Sequence, residues 1–348
     1  MSKFVRASHG VRWWLFGFLS VIGLLILGLC VGSREIPLGE VFPRIIPALF
    51  YAFGREPNSL EGVDEFTATI ANLRIPRTLL ALLAGAALGT AGALIQGHTR
   101  NALADPGLLG INAGATLAVV SGVYFGFSGA TDAAVLPALL GAGAATLVVF
   151  ALSSSGATAA SPLTLVLAGA AVTALLMAFV NALVITDSAA LDTLRTWATG
   201  SVSGRSLAVA AAVTPSFILG TALALTQGQA LNLLSMGESS ARALGLNVVL
   251  RRVFGFAAIA LLGSAAVSAA GPVAFIGLAA PHAARALWGP DYRVILPASL
   301  LIGALLALGA DIFGRLAAPG ELPMGIVLGL VGAPVFIFLV KRGKVLTP

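Results

Sequence analysis

The sequence predicts an all-α polytopic membrane protein with about ten transmembrane helices, and three observations lead to this fold class. Of its 348 residues, 58% are hydrophobic and only 10% are charged, whereas soluble domains carry about 25% charged residues. The mean hydropathy is +0.99. The apolar residues form continuous stretches rich in Ala, Leu and Gly, and a helix needs roughly 20 such residues to cross a bilayer. We therefore expect a helical bundle whose main solvent is lipid.

A closed β-barrel is the other structure that satisfies every backbone hydrogen bond in a bilayer. Its strands alternate apolar and polar residues over about 10 positions, and this sequence lacks that alternation. The apolar stretches instead predict a single transmembrane domain over residues 1–348. The expected spans are 13–32, 71–95, 109–127, 135–153, 163–186, 206–226, 253–271, 273–288, 295–313 and 324–340.

The first span follows three basic residues, Lys3, Arg6 and Arg12. It is long for a signal-peptide core and lacks a clear A-x-A cleavage site, so we expect a retained helix. The single cysteine, Cys30, cannot form a disulfide within the chain or a cysteine-only metal cluster. The three histidines do not have the spacing of metal ligands. We therefore predict no metal or cofactor bound by this chain.

The distribution of charge predicts the orientation of the chain. An even number of spans puts both termini on one side. With the N-terminus inside, the inside segments carry twelve Lys and Arg residues against three acidic residues, and the outside segments carry eight against eleven. This excess follows the positive-inside rule, so both termini are expected in the cytoplasm. The basic pI of about 10.2 then reflects membrane orientation, and we predict no nucleic-acid partner.

The sequence carries no motif for catalysis or for ATP binding. G-x-x-x-x-G-K-[ST], G-x-S-x-G and paired-carboxylate arrangements are all missing, so we do not expect an enzyme. Ion-coupled carriers keep acidic residues within their spans. Here nearly every acidic residue falls in a loop or at a span end, and Asp187 and Asp311 are the deepest. Another subunit must therefore supply energy, although an ion-coupled secondary carrier or a purely anchoring subunit stays an alternative.

A polar segment, "SMGESSARALGLN" (235–247), lies in the longest inside loop, about 227–252. Ser235 and Glu238 have the spacing of a capping box, and Gly245 predicts the end of a short helix. Ala241 and Leu244 share one side of that helix, with Arg242 beside them. The helix is either an amphipathic linker on the membrane surface or a docking helix for a cytoplasmic partner.

Several motifs occur in an order that resembles one family over essentially the whole chain. They are "LRIPRTLLALLAGAALGTAGALIQGHTRNALADPGLLGINAGA", "RTWATGS", "LSMGESSARALGLNV", "GPVAFIGLAAPHAAR" and "ADIFGRLAAPGELPMGIVLGLVGAPVFIFLV". The chain resembles the FecCD-type permeases of binding-protein-dependent ABC importers for ferric siderophores, haem and cobalamin. Within that family it looks most similar to the ferric-siderophore permeases.

The resemblance implies a type II ABC importer permease fold in the inner membrane of a bacterium. It also implies a second permease subunit, which is a second copy or a paralogue, and a substrate-binding protein outside. Two cytoplasmic ABC ATPases would bind ATP and Mg²⁺ and power transport. The cargo implied is a ferric siderophore, with haem or cobalamin as the alternative.

The resemblance also implies roles for individual residues. Arg74 and Arg77 in "RIPR" and Arg315 in "IFGR" match external arginines that meet glutamates of the binding protein. Our topology places all three at the outer surface, where snorkelling arginines that anchor helix ends are the alternative.

Two further motifs match inner-face elements of the family. Asn101 and Leu103 of "NALADP" match the cytoplasmic gate. Ala102 stands where proline is common, so we expect a less rigid turn. The polar segment matches cytoplasmic coupling helices, about 228–252, that rest on the ATPase. The residues implied there are Ser235, Gly237, Glu238, Ala241, Arg242, Leu244 and Gly245.

Overall fold

The computed structural model describes residues 2–32, 36–54, 64–127, 131–154, 162–318 and 320–341. No β-strand occurs among these residues, and the all-α class is confirmed. The helices are α1 (Ser2–Cys30), α2 (Leu38–Phe53), α3 (Glu65–Thr69), α4 (Ile75–Thr99), α5 (Ile111–Tyr124), α6 (Val135–Ser154), α7 (Pro162–Thr186), α8 (Ser188–Ala198), α9 (Leu207–Leu225), α10 (Gly228–Ser235), α11 (Glu238–Ala243), α12 (Val248–Ala270), α13 (Ile276–Trp288), α14 (Tyr292–Ala317) and α15 (Met324–Lys341).

Each of the ten predicted spans overlaps one of these helices. Seven helical segments within the described residues are long and apolar enough to cross a membrane. Two shorter apolar helices, Ile111–Tyr124 and Met324–Pro334, add to them, and α13 has 13 residues. Each of these shorter helices, α5, α13 and α15, follows a turn that contains glycine or proline. The predicted helix count of about ten is therefore consistent with the structure.

The segment between the first two spans contains a helix that the sequence did not predict. Helix α2 has 16 residues, about 24 Å at 1.5 Å per residue, which is too short for a hydrocarbon core of about 30 Å. One side packs through Val41 and Ala48 against Ile70 and Ala71. The opposite side exposes an apolar stripe, so α2 lies along the surface of the bundle. The stripe consists of Leu38, Phe42, Ile46, Phe50 and Phe53.

Helix α4 forms the centre of the bundle and packs against α12, α13 and α14. Its small residues let neighbouring backbones come close, as membrane helices commonly do. A Cβ atom at Gly85 would lie 2.2 Å from the carbonyl oxygen of Gly303 in α14. A Cβ atom at Gly92 would lie 2.0 Å from the carbonyl oxygen of Gly277 in α13. Only glycine fits at these two crossings.

Candidate functional site

The residues predicted to be functional lie at opposite ends of the bundle. Helix α14 joins the two ends: Tyr292 at its start contacts Asn232 of α10, and Arg315 at its other end contacts Asp311 and the end of α1. We call the end that contains Arg74, Arg77 and Arg315 the arginine end. We call the end that contains α10 and α11 the α11 end.

The three arginines are buried rather than exposed. Arg74, Arg77 and Arg315 are only 6%, 8% and 6% exposed, so their side chains are packed within this chain. Asp311, also buried, accepts a hydrogen bond from Nε of Arg77 at 2.9 Å and pairs with Arg315 one helical turn away. A buried guanidinium needs such a partner because desolvating an unpaired charge is costly. The sequence alone did not identify Asp311 as the shared partner of these arginines.

Two of these arginines hold the C-terminal end of α1. Nη1 of Arg315 donates hydrogen bonds to the carbonyl oxygens of Gly28 at 2.7 Å and Val31 at 2.9 Å. Nη1 of Arg74 donates to the same carbonyl of Val31. The last carbonyls of a helix have no partner within the helix, and cations at that end are favoured by the helix dipole. Arg74 and Arg315 therefore fix α1 to the bundle.

Arg77 is the member of the cluster that lines an open cleft. Its Nη1 donates to Oε2 of Glu321 at 2.5 Å and to the hydroxyl of Ser203 at 3.3 Å. Partial burial alone would raise the pKa of Glu321. The hydrogen bond and charge of Arg77, with the charges of Arg315 and Arg74, outweigh it and hold that pKa below its usual value. The cleft, of about 420 Å³, is lined by Arg77, Ser201, Ser203, Gly320, Glu321, Leu322 and Pro323.

The polar segment at the other end begins at the last residue of α10 and contains one short helix, α11. Helix α10 ends at Ser235, and α11 begins after Gly237, whose φ is +103°. The predicted capping box is wrong, because the hydroxyl of Ser235 donates to the carbonyl of Asn232 within α10 at 2.6 Å. Glu238 pairs with Arg252 and Arg242 instead. Gly237 breaks the continuity that a capping box requires.

The predicted end of this helix is confirmed. Gly245 has a φ of +81°, in the left-handed region that favours glycine. Its N–H donates to the carbonyl of Arg242 at 2.9 Å, and the N–H of Leu246 donates to the carbonyl of Ala241 at 3.0 Å. This pair of bonds defines a Schellman motif. Ala241 is fully buried, whereas the side chain of Leu244 is 61% exposed, so the prediction that these two residues share one side of the helix was wrong.

Side-chain bonds attach α10 and α11 to two long helices. The carboxylate of Glu238 accepts a hydrogen bond from Arg252 of α12. Nδ2 of Asn232 donates to Asp291 at 2.6 Å, and Oδ1 of Asn232 accepts from the N–H of Tyr292 at 2.8 Å. The hydrogen bonds from Arg293, with that from Asn232, lower the pKa of Asp291 to about 2. These bonds attach α11 to α12 and α10 to the start of α14.

The predicted gate residues lie beside the end of α10, in the predicted coupling segment. Oδ1 of Asn101 accepts a hydrogen bond from the N–H of Leu103 at 2.9 Å, so an Asx turn closes the backbone where proline is missing. Asn101 and Ser235 line the same cavity, which has a volume of about 560 Å³. Arg100 and Arg285 also line it. The structure therefore brings the two predicted inner-face regions together.

The chain that follows the gate residues turns back into the bundle. Asp105, which we expected in an inside loop, shares a small cavity of about 10 Å³ with Leu88 and Gly263. Leu88 precedes the end of α4 at Thr99 by about 16 Å along the helix axis. Asp105 therefore lies in a connecting segment, as expected, but that segment folds back into the bundle beside α4. Oδ1 of Asp105 accepts from the N–H of Gly107 at 2.8 Å, which caps the short 3₁₀ helix that precedes α5.

A profile of the FecCD transport family matches residues 19–342. The chain belongs to the FecCD transport family. It is 41% identical over 332 residues to the ferric enterobactin transport system permease protein FepD of Escherichia coli K12, covering 93% of this chain and 95% of FepD. It is 40% identical over 280 residues to the hemin transport system permease protein HmuU of Yersinia pestis, covering 78% of this chain and 83% of HmuU.

A solved structure shares the fold of this FecCD chain. An inward-facing metal-chelate type ABC transporter superposes with a TM-score of 0.79 at 27% sequence identity, covering 95% of this chain and 99% of that one. The resemblance drawn from the motifs is thereby confirmed. The FecCD chain is a membrane-spanning permease subunit of an ABC importer.

Proposed function

We propose that this chain imports a ferric siderophore across the cytoplasmic membrane of a bacterium, with both termini in the cytoplasm. The observation that carries the substrate class is the 41% identity to a ferric enterobactin permease over 93% of the chain. The hemin relative is 40% identical over a smaller share, 78% of the chain, so haem is the second candidate.

The proposed complex contains a second permease subunit, two cytoplasmic ATPases and an extracytoplasmic binding protein. The permease has no phosphate-binding motif, so ATP and Mg²⁺ would be bound by the ATPases. Asp311 is engaged by Arg77 and Arg315, and the carboxylate of Asp105 accepts a hydrogen bond from the N–H of Gly107. These pairings support energy supply by a partner over coupling to an ion gradient.

Transport by reconstituted protein tests this function. The permease, its ATPases and its binding protein are placed in liposomes and offered a panel of labelled ferric siderophores, hemin and cobalamin. We expect ATP-dependent accumulation of a ferric siderophore, and none when the ATPase is inactivated by mutation. Accumulation that persists with the inactive ATPase and stops when an ion gradient is collapsed would contradict the proposal. Selective accumulation of hemin would assign the second candidate.

Segment 228–252 is the proposed contact with the ATPase, in which α10 and α11 rest on that subunit. The exposed side chains of Leu244 and Met236 would enter its groove, with Arg242 beside them. The buried face at Ala241 and the bonds of Glu238 to α12 support transmission of force rather than free movement. Gly237 and Gly245 bound the short helix.

Replacing Leu244 with aspartate tests the contact. We expect at least a tenfold loss of ATP-driven uptake and of ATPase association, because burying a carboxylate in an apolar groove costs several kcal/mol and about 1.4 kcal/mol is a factor of ten. Folding should be unchanged, since the side chain is exposed. Leu244→Met is the matched control and should retain both activities. Full uptake by Leu244→Asp would exclude this surface.

Asn101 and Leu103 form the proposed cytoplasmic gate. Leu103 is exposed, and the Asx turn of Asn101 sets the conformation of its backbone. Because Asn101 and Ser235 line one cavity, a displacement of α10 changes the space beside the gate directly. This adjacency supports a short route from ATPase movement to opening of the pathway.

The arginine end is the proposed docking face for the binding protein. Within it, Arg77 lines the open cleft, whereas Arg74 and Arg315 fix the end of α1 beneath. Charge pairs across such an interface set orientation and association rate more than affinity. We therefore propose Arg77 as the arginine that meets a carboxylate of the binding protein, supported by the other two.

A further inference from the structure

We propose that Glu321 is an internal substitute for the carboxylate of the binding protein. It occupies Arg77 while nothing is docked and releases Arg77 when a partner carboxylate enters the cleft. This inference rests on the proposed docking function of the arginine end. It adds a competing group within the chain, so that docking exchanges one carboxylate for another.

The guanidinium of Arg77 has an inner and an outer partner. Nε donates to Oδ1 of Asp311 at 2.9 Å and to Oδ2 at 3.3 Å. Nη1 donates to Glu321 at 2.5 Å. The side chain of Asp311 is 3% exposed and that of Glu321 is 24% exposed. A carboxylate from outside can therefore replace Glu321 but cannot reach Asp311.

Glu321 is placed so that its side chain can leave without unfolding its loop. It lies between α14 and α15, and backbone bonds join its N–H to the carbonyl of Ala318 at 3.0 Å and the N–H of Leu322 to that of Gly314 at 2.8 Å. The backbone of Glu321 has a φ of +53°, a conformation that non-glycine residues seldom adopt. The loop thus fixes the position of the carboxylate, while side-chain torsions alone release it.

Charge makes exchange preferable to simple addition. Two carboxylates, Asp311 and Glu321, already surround Arg77, and a third would be repelled at this distance. Without Glu321, one edge of a buried guanidinium would lose its charged partner until docking occurred, which is unfavourable. The partner that fits is a protein surface with an acidic side chain long enough to reach the floor of the cleft beside Ser201 and Ser203.

The test measures binding of the importer's own binding protein to the assembled transporter in lipid nanodiscs. Glu321→Gln keeps the shape of the side chain and removes its charge. We expect it to lower the dissociation constant by about fivefold or more, within the range of coupling between competing groups. Asp192→Asn is the matched control, because it also removes one acidic charge. Asp192 lies in α8, which precedes the cleft residues Ser201 and Ser203 in the chain. Among the described contacts, its side chain pairs only with Arg195. That control should leave binding unchanged.

A second variant keeps the inference testable if Glu321→Gln does not fold. Glu321→Asp shortens the competitor by one methylene and should tighten binding in the same direction by a smaller factor. If the unaltered transporter fails to bind its binding protein, the docking proposal itself is lost. If it binds and both variants bind equally or more weakly, only the exchange is overturned. A gain shared by Asp192→Asn would also overturn it, because the effect would then be one of net charge.

Discussion

Asp311→Asn is expected to destabilise the folded permease by about 3–5 kcal/mol. The substitution keeps the size of the side chain but removes the carboxylate that Arg77 and Arg315 share. Both arginines would remain buried with less compensating charge, and the end of α1 that Arg315 holds would loosen. Thermal unfolding in detergent, with the fraction of monodisperse protein, measures the effect. Proteolysis between α1 and α2 should also become faster.

The matched control for this substitution is Asp192→Asn. Asp192 pairs with Arg195 at 3.2 Å, but both side chains are largely exposed. Exposed pairs contribute about 0–1 kcal/mol, so this variant should unfold close to the unaltered protein. Equal unfolding temperatures for Asp311→Asn and Asp192→Asn would show that the buried network does not hold this end together.

Gly92→Ala is expected to destabilise the bundle strongly although it adds only one methyl group. Its Cβ atom would lie 2.0 Å from the carbonyl oxygen of Gly277, a backbone atom that no rotamer change can move. Overpacking a tight core costs about 1–3 kcal/mol, and we expect the upper end because α4 and α13 must separate. Size-exclusion recovery and thermal unfolding of the purified variant measure this loss.

Gly143→Ala in α6 provides the comparison for Gly92→Ala. Nothing lies within 4 Å of the Cβ that would be added there, so the same chemical change meets open space. Alanine favours a helix over glycine, and this variant should be at least as stable as the original. If both substitutions were tolerated equally, close backbone contact could not be what orders α4.

The sequence predicted best where one local signal decides the structure. Long apolar stretches predicted α4, α12 and α14, and Gly245 predicted the end of α11, since a left-handed residue is a local requirement. Helix α2 was missed because Pro43 and Pro47 interrupt its pattern. The capping box failed because Gly237 starts a new helix.

Burial of the arginines could not be predicted from neighbouring residues. The acidic partners of Arg77 lie 234 and 244 positions away in the chain, and only the fold brings them together. One ion pair could have been predicted from the sequence. Asp311 and Arg315 are four residues apart on a helix, a spacing that favours an ion pair. The depth of Asp105 was missed for a related reason, because hydropathy does not reveal that a connecting segment folds back into a bundle.

The glycine crossings of α4 have a consequence for how this protein changes shape. Backbone touches backbone at Gly85 and Gly303 and at Gly92 and Gly277, with no compliant side chain between them. Such surfaces cannot shear past one another, because a shift by one residue would drive a methyl group into a carbonyl. We therefore expect helices α4, α13 and α14 to move as a rigid block in any change of shape.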